Sequence, residues 1–151
     1  MPLANFLNQS FAAESSQPTA NAKIEIPDTE YLAKLCNQMA REARGPTHTA
    51  RDKMLAYVND LSKPDQSRTL CVNFLGAVKS EENLKILASL LSDQSANVRT
   101  RAFYGLPNEV RAKITDYNYT ATPSPREFPP ILAKIYRLIE AYGRGEKNTK
   151  D

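Results

Sequence analysis

The stretch at residues 84–106, LKILASLLSDQSANVRTRAFYGL, decides the fold class of this chain. Leucines in its first half recur every three or four residues, which places them on one stripe of an amphipathic helix: Leu84, Leu87, Leu90 and Leu91. The polar segment 92–97 favours a turn, and the apolar period resumes at Val98. The stretch therefore predicts two short helices that fold back on each other as a hairpin.

An earlier segment repeats part of this pattern. Arg68, Thr69 and Leu75 precede Arg99, Thr100 and Leu106 by 31 residues each. A leucine stripe, a Ser-Asp turn and a Val-Arg start of a second helix together resemble the unit of HEAT-type helical repeats. That resemblance implies a stack of helical hairpins, which needs about three units to bury a continuous core. Only two units are visible here, so the alternative is one irregular bundle whose hairpins look alike.

Further apolar periods predict helices on both sides of this hairpin. Asp28 is a candidate cap for a first helix that stops at Gly45-Pro46. Thr49 opens the next helix in the manner of a capping box, with Asp52 in place of the usual Glu or Gln. Pro64 stands where the first turn of a third helix tolerates proline.

The C-terminal third predicts a long loop and one more substantial helix. Pro107 interrupts the central hairpin, and a short helix is expected over residues 108–114. The proline-rich segment 117–130 lacks an apolar period and predicts a surface loop. Pro129-Pro130 then starts a helix with a wide apolar arc, which we expect to be mostly buried. We therefore predict an all-α fold, a single compact bundle of six or seven short amphipathic helices packed as helical hairpins.

The composition divides the chain into three parts. Residues 1–22 are polar and carry one charge, so they predict a flexible N-terminal arm. Three apolar residues of that arm are spaced to form one small face that could order on a neighbouring subunit, and they define a predicted oligomerisation arm: Phe6, Leu7 and Phe11. Residues 23–145 form the predicted helical domain, and residues 146–151 a charged tail.

Composition also limits the cellular setting. Hydrophobic residues at 41% and charged residues at 25% are ordinary for a globular protein. No apolar run reaches the roughly 18 residues of a membrane span, and the first basic residue is Lys23, which argues against a targeting peptide. We expect no membrane association and a cytoplasmic location. Cys36 and Cys71 lie on apolar stripes and are expected to be buried thiols.

Residue types that carry catalysis are scarce. His48 is the only histidine, and its position between a Gly-Pro break and a helix start predicts a solvated loop residue. Glu81 and Glu82 are adjacent at a helix start, where negative charge complements the helix dipole. Motifs for zinc, a nucleotide loop or a serine nucleophile do not occur. The sequence therefore predicts no catalytic residue, metal or cofactor, and an enzyme is the third hypothesis.

The positive charge is concentrated late in the chain. Residues 95–151 carry ten basic against six acidic side chains, whereas residues 23–94 balance ten against ten. Basic groups bind phosphates and tyrosine rings stack on unpaired bases, so the late cluster is a candidate site for nucleic acid or another anionic partner. Its predicted members are Arg99, Arg101, Arg111, Lys113, Tyr117 and Tyr119. Phe103 and Tyr104 are interleaved with them, and Phe103 is expected in the core.

Two functions follow from these patterns. The leading hypothesis is a non-enzymatic protein-interaction or assembly module, which binds a protein partner or itself through its surface and its N-terminal arm. The alternative is a nucleic-acid-binding protein, for example a nucleocapsid-like subunit, in which the region from Arg99 to Lys113 meets phosphates.

Overall fold

The computed structural model describes residues 25–145, and this part of the chain is entirely helical. Its elements are seven α-helices and one 3₁₀ turn: α1 Thr29–Glu42, α2 Thr49–Asn59, α3 Asp65–Leu75, α4 Glu81–Ser89, the 3₁₀ turn Leu90–Ser92, α5 Ala96–Gly105, α6 Asn108–Arg111 and α7 Phe128–Gly143. Helix α1 packs on α2 and α3, α3 packs on α2 and α5, and α5 packs on α4, which α7 covers. The predicted all-α bundle is confirmed.

The first two helices form where the apolar pattern places them, but their caps differ from the prediction. Asp28 precedes α1 with a left-handed backbone (φ 64°), and its side chain does not cap the helix. Its carboxylate instead accepts a hydrogen bond of 2.6 Å from the hydroxyl of Tyr57. At the start of α2 the capping position belongs to His48, and the Ala50 amide donates to the carboxylate of Glu42 at 3.0 Å. Tertiary partners replaced the local caps in both cases.

The central hairpin has the predicted core and a close helix contact. Ser80 caps α4 by accepting a hydrogen bond from the Asn83 amide at 3.1 Å. Leu87 is fully buried between α4 and α5. Gly105 ends α5 so near to this leucine that a Cβ atom there would lie 2.8 Å from Leu87 Cδ1. A side chain at this position would therefore force the buried Leu87 side chain to shift.

Helices α3 and α5 share two local features at positions 31 residues apart. Thr69 and Thr100 each donate from the hydroxyl to the carbonyl four residues back, in both cases at 2.8 Å. Arg68 and Arg99 are both buried, with 3% and 4% of their surfaces exposed. A charged side chain is buried at these two positions because each guanidinium is held by internal acceptors.

Asp93, in the turn before α5, joins the two units. Its carboxylate pairs with the guanidinium of Arg68 on α3 and accepts the amide of Ser95 at 2.8 Å. Its backbone carbonyl accepts from Arg99 Nη1 at 2.8 Å. Arg68 also donates from Nε to the Val58 carbonyl at 2.6 Å, which ties α2 into the same network. One turn residue thus fixes the position of α5 relative to α3.

The C-terminal part departs from the prediction in two places. Helix α6 ends at Arg111, earlier than the predicted residue 114. In α7, which begins at Phe128, Ile135 and Ile139 are fully buried, but the remaining apolar residues of the arc are only partly covered. The expectation of a mostly buried helix was wrong because α7 lies at the edge of the bundle and contacts only α4 and α6 extensively.

Candidate interaction surface

The predicted late basic cluster divides into buried and exposed residues. Arg99 points inward from α5, donates from Nε to the Tyr119 carbonyl at 3.0 Å, and donates from Nη1 to Thr122 Oγ1 at 2.8 Å. Together with the bond to the Asp93 carbonyl, these contacts pair the guanidinium of Arg99 with acceptors inside the protein. Arg99 therefore anchors the loop after α6, and we do not include it in an external binding surface.

Tyr117 anchors the same loop. Its hydroxyl donates to the Leu91 carbonyl at 2.7 Å, and its ring lies 5.9 Å from that of Phe103, centroid to centroid. Burial raises the pKa of Tyr117 above its ordinary value. Phe103 packs against the core, as expected, although it is only partly buried. Tyr117 is thus held by internal contacts, as Arg99 is.

Arg101 is exposed, and the half-buried Arg111 and Tyr119 lie around Tyr104, which is 53% exposed. The guanidinium carbon of Arg111 lies 4.9 Å from the Tyr104 ring centroid, a cation–π distance. Arg111 is held there by a bond from Nε to the Leu106 carbonyl at 3.1 Å and by a second bond to the Asn108 side chain. The Tyr119 and Tyr104 hydroxyls are 3.1 Å apart. Their hydrogen bond raises the pKa of Tyr119 and restrains both rings.

Lys79 joins this group from the loop between α3 and α4, and the sequence did not single it out. Its ammonium donates to the Gly105 carbonyl at the end of α5, at 2.8 Å. Burial, followed by the charge of Arg111, lowers the pKa of Lys79. No periodic pattern marks Lys79, because its position depends on the contact between α3 and α5. We call the five residues Lys79, Arg101, Tyr104, Arg111 and Tyr119 the basic–aromatic patch.

A groove between α3 and α5 opens within this patch. It encloses about 230 Å³ and is lined by Val72, Asn73, Gly76, Lys79, Arg101, Tyr104 and Gly105. The Asn73 side chain is half-buried, and neither it nor the Arg101 side chain makes a hydrogen bond or ion pair within residues 25–145. We call this the α3–α5 groove. Its polar groups are therefore available to an external molecule.

Within residues 25–145, the three cations of the patch form no ion pair with a carboxylate. Ion pairs within the described residues join Arg68 to Asp93, Lys85 to Glu81 and Glu140, and Lys134 to Asp116. None of them involves the three cations of the patch. Elsewhere on the described surface, Lys85 is paired with Glu140, and the hydrogen bond from Lys85 lowers the pKa of that carboxyl. The patch differs because its cations have no such partner among the residues that the structure describes.

The remaining predicted site residues are Lys113 and the three residues of the N-terminal arm. Lys113 is exposed and lines a shallow cleft against α7 together with Leu138 and Tyr142. Phe6, Leu7 and Phe11, the predicted oligomerisation arm, lie outside the described residues, as does the charged tail.

Residues considered for chemistry occupy other parts of the fold. His48 is half-buried beside a cavity of about 210 Å³ that Arg51 and Glu82 also line, so it is more enclosed than the predicted loop residue. Cys71 is fully buried, and burial raises its pKa to about 12, whereas Cys36 is half-buried. Within residues 25–145, no cluster of three or more His, Cys, Asp or Glu side chains is placed to hold a metal ion.

Comparisons with protein-family models, curated proteins and solved structures found no match for this chain. The resemblance to HEAT-type repeats therefore rests on the residue pattern alone. In the part of the chain that the structure describes, none of the helices has the length and apolar content needed to cross a membrane.

Proposed function

We propose that this chain is a non-enzymatic helical interaction module that binds an anionic partner through the basic–aromatic patch. The observation that carries the proposal is the grouping of Lys79, Arg101 and Arg111 around the exposed ring of Tyr104, with no ion pair to a carboxylate within residues 25–145. Exposed cations on a protein surface are commonly interspersed with acidic residues, so a group of one sign creates a field that attracts and orients anions.

The patch is also organised before any partner arrives. Arg111 is held by two hydrogen bonds and by the Tyr104 ring, and Lys79 is held by the Gly105 carbonyl. Side chains that are already ordered lose less conformational entropy on binding. Repulsion between Lys79 and Arg111, which contributes to the lowered pKa of Lys79, would be relieved by an anion placed between them.

Two classes of partner have this charge. An acidic segment of a protein, from another chain or from an assembly of this one, is the candidate that follows from an interaction module. A nucleic acid is the second candidate, and the specific observation in its favour is the exposed tyrosine within the cationic group. Self-association through residues 1–22 is a separate part of the proposal and does not depend on the patch.

Salt-dependent binding tests the proposal. Fluorescence anisotropy should detect binding of labelled decaglutamate or single-stranded DNA at about 50 mM salt, with weaker binding as salt rises. Arg101→Ala should weaken binding, and for DNA it should flatten the salt slope by about one unit if one phosphate contact is lost. Lys113→Ala removes an exposed cation outside the patch and is the matched control. Absence of binding to both probes at about 50 mM salt would remove the support for this function.

A further inference from the structure

The α3–α5 groove has features that a general anion site does not need. Its lining combines Val72 and two glycines, Gly76 and Gly105, with polar and aromatic side chains. The ring of Tyr104 lines one part of it, and the Asn73 amide offers both a donor and an acceptor that nothing within residues 25–145 occupies. An aromatic face next to an unbonded amide suits a flat heterocycle with hydrogen-bonding edges.

Positively charged side chains also border the α3–α5 groove. Lys79 and Arg101 line it directly, and Arg111 lies over the Tyr104 ring. A ligand that places a flat ring in the groove would therefore hold any attached negative charge close to two or three cations. Nucleotides combine these two parts in one covalent unit, whereas an acidic peptide would use the cations and leave Tyr104 and Asn73 without a role.

We infer that the α3–α5 groove receives one unpaired base of a single-stranded nucleic acid, with the base against Tyr104, its edge bonded to Asn73, and flanking phosphates on Lys79 and Arg101. A base recessed between two helices must be free of its own partner strand, so the ligand is single-stranded. This inference rests on the proposed function, since it names the partner of the same patch.

Comparison of three anionic probes tests the inference. A mixed-sequence DNA decamer, an abasic decamer with the same phosphates, and decaglutamate are each titrated with the full chain by fluorescence anisotropy at about 50 mM salt. The DNA should bind at least about tenfold more tightly than the abasic strand, because stacking contributes binding energy beyond the phosphates. Tyr104→Ala should remove that difference, and Tyr104→Phe should retain it.

Further variants keep the test independent of folding. Asn73→Ala should reduce the spread of affinities among the four homopolymeric decamers with little effect on binding to the abasic strand. Circular dichroism of each variant confirms that the helices persist, and Lys113→Ala again serves as the control outside the groove.

The outcomes separate this inference from the proposed function. Equal binding of the DNA and abasic strands would overturn the base-binding groove while leaving an anion-binding patch in place. Decaglutamate binding as tight as that of DNA would also overturn the inference and would identify an acidic protein segment as the partner class. Failure of all three probes would overturn the proposed function itself.

Discussion

Arg99 and Arg101 stand two residues apart on α5, and the structure predicts opposite consequences for their removal. Arg99→Ala deletes three hydrogen bonds from a buried guanidinium, to the Asp93 and Tyr119 carbonyls and to Thr122 Oγ1. Bonds of this charge-assisted kind contribute about 1.5 to 3 kcal/mol each, but they are not additive within one network. We expect a loss of about 3 to 5 kcal/mol, less than the sum of the three bonds, because buried oxygen acceptors would lose their donor.

Arg101 is exposed and unbonded within the described residues, so Arg101→Ala should change the free energy of unfolding by no more than about 0.5 kcal/mol. Urea denaturation, followed by circular dichroism at 222 nm, gives both free energies. Anion binding, measured on the same samples, should weaken for Arg101→Ala. Equal stabilities for the two variants would refute the role assigned to Arg99 and the internal anchoring of the loop after α6.

Three further predictions address the rest of the fold. Leu87→Ala should lower the free energy of unfolding in urea by about 2 to 4 kcal/mol, because removing a fully buried leucine side chain leaves a cavity between α4 and α5. A change below about 0.5 kcal/mol would mean that the hairpin is peripheral. Burial, followed by the hydrogen bond to Asp28, raises the pKa of Tyr57 from 10.0 to about 12. The free energy of unfolding should therefore fall as the pH rises from 10 towards 12, and Tyr57→Phe should show a smaller fall in urea titrations. Deletion of residues 1–22 should leave the thermal midpoint nearly unchanged while lowering the mass measured by light scattering, and an unchanged mass would contradict an oligomerisation arm.

Periodicity predicted the helices because the apolar residues that define them are close together in sequence. Leu84, Leu87 and Leu91 are buried as the stripe requires, and Ser80 and Gly105 lie at the ends of the hairpin. Caps were harder to predict, since a cap can be satisfied from a distance. Asp28 was assigned to α1 on local grounds, but the hydroxyl of Tyr57, from the next helix, occupies its carboxylate.

The candidate site was predicted less well because burial of a long charged side chain depends on distant acceptors. Composition alone predicts that Arg99 is a surface cation. In the structure its guanidinium donates a hydrogen bond to the carbonyl of Tyr119, 20 residues later in the chain. The 31-residue repeat did contain a signal: Arg68 and Arg99 occupy equivalent positions beside buried apolar neighbours, which suggests a shared internal role. Lys79 had no such signal, because only the packing of α3 against α5 brings it to the patch.

Nuclear magnetic resonance tests the central claim, that the basic–aromatic patch is the binding surface of this module, most directly. A ¹H–¹⁵N correlation spectrum of the full chain is recorded while a single-stranded DNA decamer is added at about 50 mM salt. The amide shifts should change most in residues 72–79 and 101–111, with little change around His48 or in α7. Changes spread evenly over exposed cations, or concentrated on another face of the bundle, would contradict the account.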